Sequence, residues 1–284
     1  MGRKANSKIV YQQLIKDIVI DESRDEIRAI AMLLLNSLGV TRNDILSEKE
    51  FELDSQKLAE AVKRINLAEP IQYVLGEAYF LGRSFLVNQS VLIPRPETEL
   101  LVQLILEENK TKCAVLDIGT GSGCIAISLA LDLKSSRVHA LDFSKAALEV
   151  AKKNAARLNA HITFHHLDIL KDLPALTDLD IIVSNPPYVM DNERKNMTQN
   201  VLSYEPHSAL FVPDENPLIF YEVLAKIGKE VLKPKGKFFV EINAQLGKEV
   251  VDCFAKNDYS EIEIIKDLDG KGRIVCGSNR HNKY

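Results

Sequence analysis

The first 70 residues carry apolar positions at helical spacing. Over 24–38, Ile27, Ile30, Ala31, Leu34, Leu35 and Leu38 fall on one helical face. Ser23 and Glu26 are spaced as a capping box, and Gly39 suits a stop. Val10, Leu14, Ile15 and Ile18 predict a helix before it, and Leu58, Val62 and Ile65 predict one after it, capped by Ser55. Three amphipathic helices with short connections predict a small helical bundle domain over 1–72. From Pro70 the texture changes. IQYVLGEAYFLGRSFLV is rich in β-formers and punctuated by Gly76 and Gly82, so 73–92 reads as a β-hairpin linker. Pro94 and Pro96 then interrupt any strand, and Pro96 suits the first turn of a helix over ETELLVQLILEEN.

Beyond residue 112, apolar β-rich runs at 114–118, 137–141, 162–164, 180–184, 237–242, 261–265 and 272–276 are interleaved with helical patterns at 123–133, 144–158, 217–232 and 245–256. This predicts an α/β domain over 93–284 with a doubly wound, mostly parallel, seven-stranded sheet. Only DLDGKG separates the last two runs, which predicts an antiparallel hairpin closing one edge of the sheet.

Glycine is scarce, 13 in 284 residues, yet Gly119-Thr120-Gly121-Ser122-Gly123 holds three of them between the first strand and its helix. Glycines there let the backbone turn tightly and approach a ligand at the carboxyl ends of the strands. The second strand ends in Asp142, 19 residues after Gly123, where a carboxylate can take both hydroxyls of a ribose. Asp117 immediately precedes the loop. A carboxylate there is a poor neighbour for a pyrophosphate and a good one for a cationic ligand, and it also reads as a cap for the following turn. No P-loop lysine follows the glycines, which excludes a nucleoside triphosphate site of that kind. S-adenosylmethionine fits this pattern: it carries an ammonium, a sulfonium and no phosphate.

The run DIIVSNPPYVM ends a buried strand directly in Asn185-Pro186-Pro187-Tyr188. Each proline fixes its own φ and pushes the preceding residue out of the helical region, so the turn is stiff. Without proline N–H groups it offers mainly acceptors, the Asn185 side-chain oxygen and the Pro186 carbonyl, and these suit an NH₂ group with two donors. Tyr188 adds a flat face for a planar amide or base. An amide nitrogen is a weak nucleophile because its lone pair is delocalised. Holding both hydrogens out of plane favours a pyramidal nitrogen, and alignment at about 3–3.5 Å then matters more than a strong base. The bland alternative is an Asn-Pro turn that merely ends a strand. Its position on the fourth strand after the glycine loop favours methyl transfer to a planar nitrogen, without saying which nitrogen.

Composition narrows the field. No apolar run approaches the roughly 20 residues of a membrane span, and the start MGRKANSKIV has no apolar stretch of a secretory signal behind it. Asn88-Gln-Ser and Asn196-Met-Thr therefore read as chance matches to a glycosylation pattern. Cys113, Cys124, Cys253 and Cys276 are far apart, which argues for reduced thiols and a cytoplasmic setting, and Cys124 reads as packing beneath the ligand. The net charge of −4 disfavours nucleic acid held by bulk charge, and the short basic tail NRHNKY reads as solvated. His161, His165 and His166 cluster, but no cysteine joins them and no metal is expected.

These motifs together resemble the PrmC/HemK family of release factor glutamine methyltransferases. The resemblance runs nearly end to end. It takes in the helical N-terminal domain, Ile93-Pro94-Arg95-Pro96-Glu97-Thr98-Glu99, the glycine loop with Asp142, Asn185-Pro186-Pro187-Tyr188, Tyr204-Glu205-Pro206 and Glu241-Ile242. It implies a class I methyltransferase domain of Rossmann-like fold. The enzyme would methylate the side-chain amide nitrogen of the glutamine in the Gly-Gly-Gln loop of a peptide chain release factor. S-adenosyl-L-methionine would be the donor and S-adenosyl-L-homocysteine the product, and the methylation would support translation termination. The N-terminal domain would help dock the release factor, and a monomer is the expectation for an enzyme that must reach a protruding loop. Carried over by position, Asp117, Gly119, Thr120, Gly121, Ser122, Gly123, Asp142, Phe143, Asp168, Ile169 and Asn185 would hold the cofactor, with Ile169 beside the adenine. Asn185, Pro186, Pro187 and Tyr188 would form the substrate site, bordered by Arg95 and Glu97, with Asn185, Pro186 and Tyr188 closest to the chemistry. Two departures are Asn243, where the family usually has glycine after Glu241-Ile242, and Gly272 within Gly270-Lys271-Gly272-Arg273. The rivals are an amine methyltransferase acting on DNA or RNA, whose binding would weaken steeply with salt, a non-catalytic binder of cofactor or release factor, and more distantly an NAD oxidoreductase.

Overall fold

In a computed structural model of the chain, residues 3–109 and 112–280 are described; the tail beyond 280, part of the basic stretch noted above, lies outside them. The chain divides into two compact units. One runs to Glu77 and includes Thr198–Tyr204, and the other comprises Ala78–Met197 and the chain from Glu205 on.

The first unit contains strand β1 (Arg3–Asn6), helices α1 (Ser7–Asp17), α2 (Arg24–Ser37) and α3 (Arg42–Leu46), strand β2 (Glu50–Leu53), and helices α4 (Ser55–Asn66) and α5 (Ile71–Leu75). Ile30, Ala31, Leu34 and Leu35 of the α2 stripe are buried with Leu14, Ile18 and Ile65. Burying such side chains contributes roughly 1.5–3 kcal/mol each. Ser23 accepts from the Glu26 N–H as its spacing predicts. Helix α4 is capped one residue earlier than predicted, because Asp54 rather than Ser55 reaches the Lys57 N–H. The antiparallel β1–β2 pair has no counterpart in the predicted bundle. Ile71–Leu75 is helical despite its β-forming residues: Pro70 leads into it, and Gly76, at φ 77°, ends it in the left-handed region.

The hairpin of β3 (Glu77–Phe80) and β4 (Arg83–Leu86) follows. Its turn residues Leu81 and Gly82 both have positive φ, as a tight two-residue hairpin requires. From Ala78 this hairpin is part of the second unit, not a linker, and the unit boundary falls at 77 instead of at 72 and 92. Helix α6 (Pro96–Glu108) starts on Pro96 as expected. Then come β5 (Ala114–Ile118), α7 (Cys124–Asp132), β6 (Arg137–Asp142), α8 (Lys145–Leu158), β7 (Ile162–His166) and β8 (Leu179–Ser184). A short pair, β9 (Val189–Met190) and β10 (Phe211–Val212), brackets α9 (Gln199–Tyr204). The chain closes with α10 (Ile219–Val231), β11 (Leu232–Glu241), α11 (Gly247–Lys256), β12 (Tyr259–Lys266) and β13 (Gly272–Asn279).

Seven strands form one sheet in the order β12-β13-β11-β8-β5-β6-β7. All neighbours are parallel except those of β13, which lies antiparallel to both β11 and β12, so the predicted edge hairpin is present. Strand β11 begins earlier than the apolar run 237–242, with a register shift between Leu232 and Lys237 that absorbs Pro234 and Gly236. Each face of the sheet buries its own apolar layer, with Val115, Ile127 and Val183 on one side and Leu116, Ile182 and Phe238 on the other. The connections run outward in opposite directions from β5 and β8. The crevice at their carboxyl ends is where open α/β sheets bind ligands.

Candidate active site

The loop after β5 is built from backbone. Gly119, Gly121 and Gly123 have φ of 76°, 54° and 83°, values costly for other residues. A Cβ on Gly119 or Gly121 would meet open space, whereas one on Gly123 would lie 2.9 Å from Ile127 Cδ1 and 3.2 Å from Ala151 Cβ. The first two glycines therefore bring backbone to the ligand side, and the third lets α7 pack against α8. Asp117 lies behind the loop. Its Oδ2 accepts from the Thr120 hydroxyl at 2.6 Å and from the Ala126 N–H at 3.2 Å, so the capping reading of Asp117 describes that oxygen. Oδ1 is buried and has no partner among the described residues. Burial pushes this carboxyl up to about 7.

Asp142 ends β6 and accepts from the Gly121 N–H at 2.9 Å and the Ser144 N–H at 2.8 Å, one on each oxygen. It fixes the glycine loop and opens α8 at once, and it keeps lone pairs for a ligand. Burial raises its pKa against the pull of those two bonds. His166 Nε2 donates to the Phe143 carbonyl at 2.8 Å, while His165 Nε2 lies 3.0 Å from His139 Nδ1 on the neighbouring strand.

A cavity of about 270 Å³ opens at the carboxyl ends of the strands. Gly119, Thr120, Gly121, Ser122, Asp142, Phe143, Asp168 and Ile169 line one part of it, and Asn185, Pro186, Pro187 and Arg95 line another. Asp117, Gly123, Tyr188 and Glu97 are not in its lining. Cys124 is in the lining, with its thiol pushed up to about 12 by burial, which leaves it an inert packing group. Two carboxylates, Asp142 and Asp168, border the space; Asp168 is paired with Lys171 at 2.8 Å and the lining cation, Arg95, with Glu205 Oε1 at 2.5 Å, which leaves Asp142 without a cationic partner. The buried Glu205 also accepts from the Ile93 N–H at 3.2 Å, clamping the Ile93–Pro96 segment. A lining with surplus negative charge, and an orphaned carboxylate oxygen behind it, fits a cationic cofactor without phosphate.

The turn after β8 is held by side chains from afar. Asn185 Nδ2 donates to Thr98 Oγ1 at 3.1 Å, and Thr98 Oγ1 donates to Glu241 Oε2 at 2.7 Å. The Tyr188 hydroxyl donates to Glu241 Oε1 at 3.0 Å. Tyr188 is thus a bolt between the turn and the end of β11, not a wall of the cavity. Burial raises the Glu241 pKa while the two hydroxyls pull against it, and burial with the Glu241 charge keeps the Tyr188 phenol protonated. The departure at Asn243 has a local role: its Nδ2 donates to the Tyr188 carbonyl at 3.3 Å and to Glu193 Oε2 at 2.9 Å. Glu97 pairs with Arg273 at 3.8 Å. Thr98, Glu205 and Glu241 stand within the motifs above, but no local pattern in the sequence assigns them a role. The signal available for Glu241 was an acid ending the apolar run FFVE, since a buried carboxylate must find donors.

Residues 96–210 match the family model described as methyltransferase small domain. Among solved structures, a methyltransferase from Pyrococcus furiosus superimposes with a TM-score of 0.54 at 17% identity, covering 80% of this chain and all (100%) of that one. A T. thermophilus 16S rRNA methyltransferase in complex with AdoMet and guanosine gives 0.51 at 19%, covering 72% and 50%. At those identities the likeness speaks for the fold. Sequence likeness goes further. A release factor glutamine methyltransferase from Bacteroides thetaiotaomicron is 46% identical over 94% of this chain and 97% of its own length. Those from Flavobacterium psychrophilum and Bacillus subtilis are 41% and 36% identical over 90% and 93% of this chain, and 93% and 95% of their own. Identity of that order across nearly the full length of all three, on a methyltransferase sheet, means that the chain belongs to the release factor glutamine methyltransferase family.

Proposed function

We propose that this protein transfers the methyl group of S-adenosyl-L-methionine to the side-chain amide nitrogen of the glutamine in the Gly-Gly-Gln loop of a peptide chain release factor. The observation that carries this reading is the Asn185–Pro186–Pro187 turn at the cavity, with the Asn185 amide nitrogen already bound to Thr98. That leaves Asn185 Oδ1 and the Pro186 carbonyl as acceptors for the two hydrogens of an incoming primary amide. When bound, S-adenosylmethionine supplies an electrophilic methyl group on a sulfonium. The chain's own contribution is positional. Asn185 and Pro186 hold the amide so that its nitrogen lone pair can form the new N–C bond as the S–C bond breaks, and the nitrogen then loses one proton to solvent. Asp142 takes the ribose hydroxyls, Phe143, Asp168 and Ile169 border the adenine, and the Asp117 carboxylate offsets the positive charge. The first unit helps dock the release factor, and the enzyme works as a monomer in the cytoplasm. No helix among the described residues is long and apolar enough to cross a membrane.

The test is methyl transfer from labelled S-adenosylmethionine to purified release factor, with the loop glutamine intact or replaced by alanine. Label on the intact protein alone is expected. Equal label on both, or label on neither, would overturn the substrate assignment, and label on nucleic acid would favour the rival amine methyltransferase.

A further inference from the structure

With Glu241 ionised, the form its Thr98 and Tyr188 hydroxyl partners favour against burial, the chain of bonds from Asn185 through Thr98 to Glu241 has a direction that follows from counting protons. Thr98 Oγ1 has a single hydrogen. It lies 3.1 Å from the Asn185 amide and 2.7 Å from Glu241 Oε2. With Glu241 ionised, its oxygens can only accept, so the threonine hydrogen goes to Oε2. The threonine oxygen must then accept from its other neighbour, and only the NH₂ end of the Asn185 amide can donate. Glu241 Oε1 is occupied by the Tyr188 hydroxyl, so the two carboxylate oxygens are matched to two hydroxyl donors. Flipping the Asn185 amide would set its oxygen against Thr98 and turn an NH₂ group toward the cavity. The hydroxyl would then leave Glu241 with an unpaired oxygen in a place where the residue is 2% exposed, a costly arrangement.

Resting on the reading that Asn185 meets the substrate amide, we propose that Thr98 and Glu241 are positioning residues that hold the Asn185 oxygen toward the cavity. The parts come from three elements: the first turn of α6, the end of β8 and the end of β11. Ser184 and Val240 are register partners on parallel strands, so Asn185 and Glu241 emerge side by side at the sheet's carboxyl edge. Thr98 bridges them from above. Without it, the Asn185 amide would be free to rotate, and half of its orientations would present donors to a substrate that itself brings donors.

The test compares Thr98→Val, which keeps the shape and removes the hydroxyl, with Thr98→Ser, which keeps the hydroxyl, in the full-length protein. Thr98 also lines the cavity; we expect Thr98→Val to lower kcat about 10- to 100-fold with a much smaller change in cofactor Kd, and Thr98→Ser to restore kcat to within a few fold of wild type. A second readout needs no release factor: in protein labelled with ¹⁵N-asparagine, the Asn185 side-chain NH₂ resonances should shift and lose exchange protection in Thr98→Val but not in Thr98→Ser. Glu241→Gln, with one oxygen for two hydroxyl donors, should perturb the same resonances. Equal kcat in the valine and serine variants, or unchanged Asn185 resonances in Thr98→Val, would overturn the positioning role. If wild type transfers no methyl group to the release factor, the substrate reading fails while the Asn185 resonances still decide this one.

Discussion

The glycine loop and the Asn185–Tyr188 turn sit at the ends of adjacent strands, yet they are made rigid in opposite ways. The loop is held locally. Its glycines take φ values other residues avoid, and Asp142 and Asp117 accept backbone N–H groups within or just after it. The turn has prolines in place of N–H donors, and its side chains are tied to Thr98 and Glu241, 87 and 53 positions away in sequence from Asn185 and Tyr188 respectively. On the proposed function, the first arrangement shapes a pocket for the cofactor and the second aims acceptors at the substrate amide. Damage to the loop should therefore be felt in cofactor affinity or stability, and damage to the turn in turnover.

The largest effect is expected at the turn. Asn185→Ala should reduce kcat by about 10²–10³, the usual cost of losing a preorganised polar contact, and single-turnover methyl transfer measures it. Turnover within a few fold of wild type would show that the paired acceptors are not used. A smaller effect separates the glycines. Gly123→Ala combines positive φ with the close approach to Ile127 and Ala151, and should destabilise by about 2–5 kcal/mol, the φ and overpacking costs together. Gly119→Ala has the φ penalty alone, about 1–2 kcal/mol. Urea denaturation of the two variants would rank them, and a larger loss at Gly119 would contradict the packing role of Gly123.

The last effect concerns pH. The Asp117 carboxyl is raised to about 7 by burial, above its unfolded value of roughly 3.9. The folded state therefore holds its proton more tightly than the unfolded state. That contribution to stability is full below about pH 4 and is lost as pH rises through about 7. Asp117→Asn removes the titration, so the variant should gain stability relative to wild type between pH 5 and pH 8. Parallel pH profiles of the urea midpoints would count against a raised Asp117.

Much of this organisation is legible in the sequence because alternation of apolar strands with amphipathic helices is a local signal. The glycine and Asn-Pro-Pro-Tyr motifs are likewise visible as runs of adjacent residues, although the partners that hold the turn are distant in sequence. Helix α5 was not legible: its Ile71, Tyr73 and Val74 have β propensity, and a leading proline and a terminal glycine outweigh it. The strand pair β1–β2 was not legible either, since Arg3–Asn6 has no alternating apolar pattern and pairs through backbone. In the site, Glu241 contacts Thr98 across 143 positions, and Glu205 contacts Arg95 across 110. Nothing local marks such partners. For Tyr188 the motif marks a flat ring face, but nothing local marks the bond of its hydroxyl to Glu241.

The most direct test of the contrast is to measure cofactor Kd by calorimetry, and kcat at saturating cofactor and release factor, for Asn185→Ala and Asp142→Ala side by side. Asp142→Ala should weaken cofactor binding by about 1–3 kcal/mol, as loss of a charged hydrogen-bonding group does, with kcat largely kept once the site is filled. Asn185→Ala should do the opposite, losing turnover with little change in cofactor Kd. If both variants lose affinity and turnover together, the loop and the turn are not separate devices and the division of labour described here is wrong.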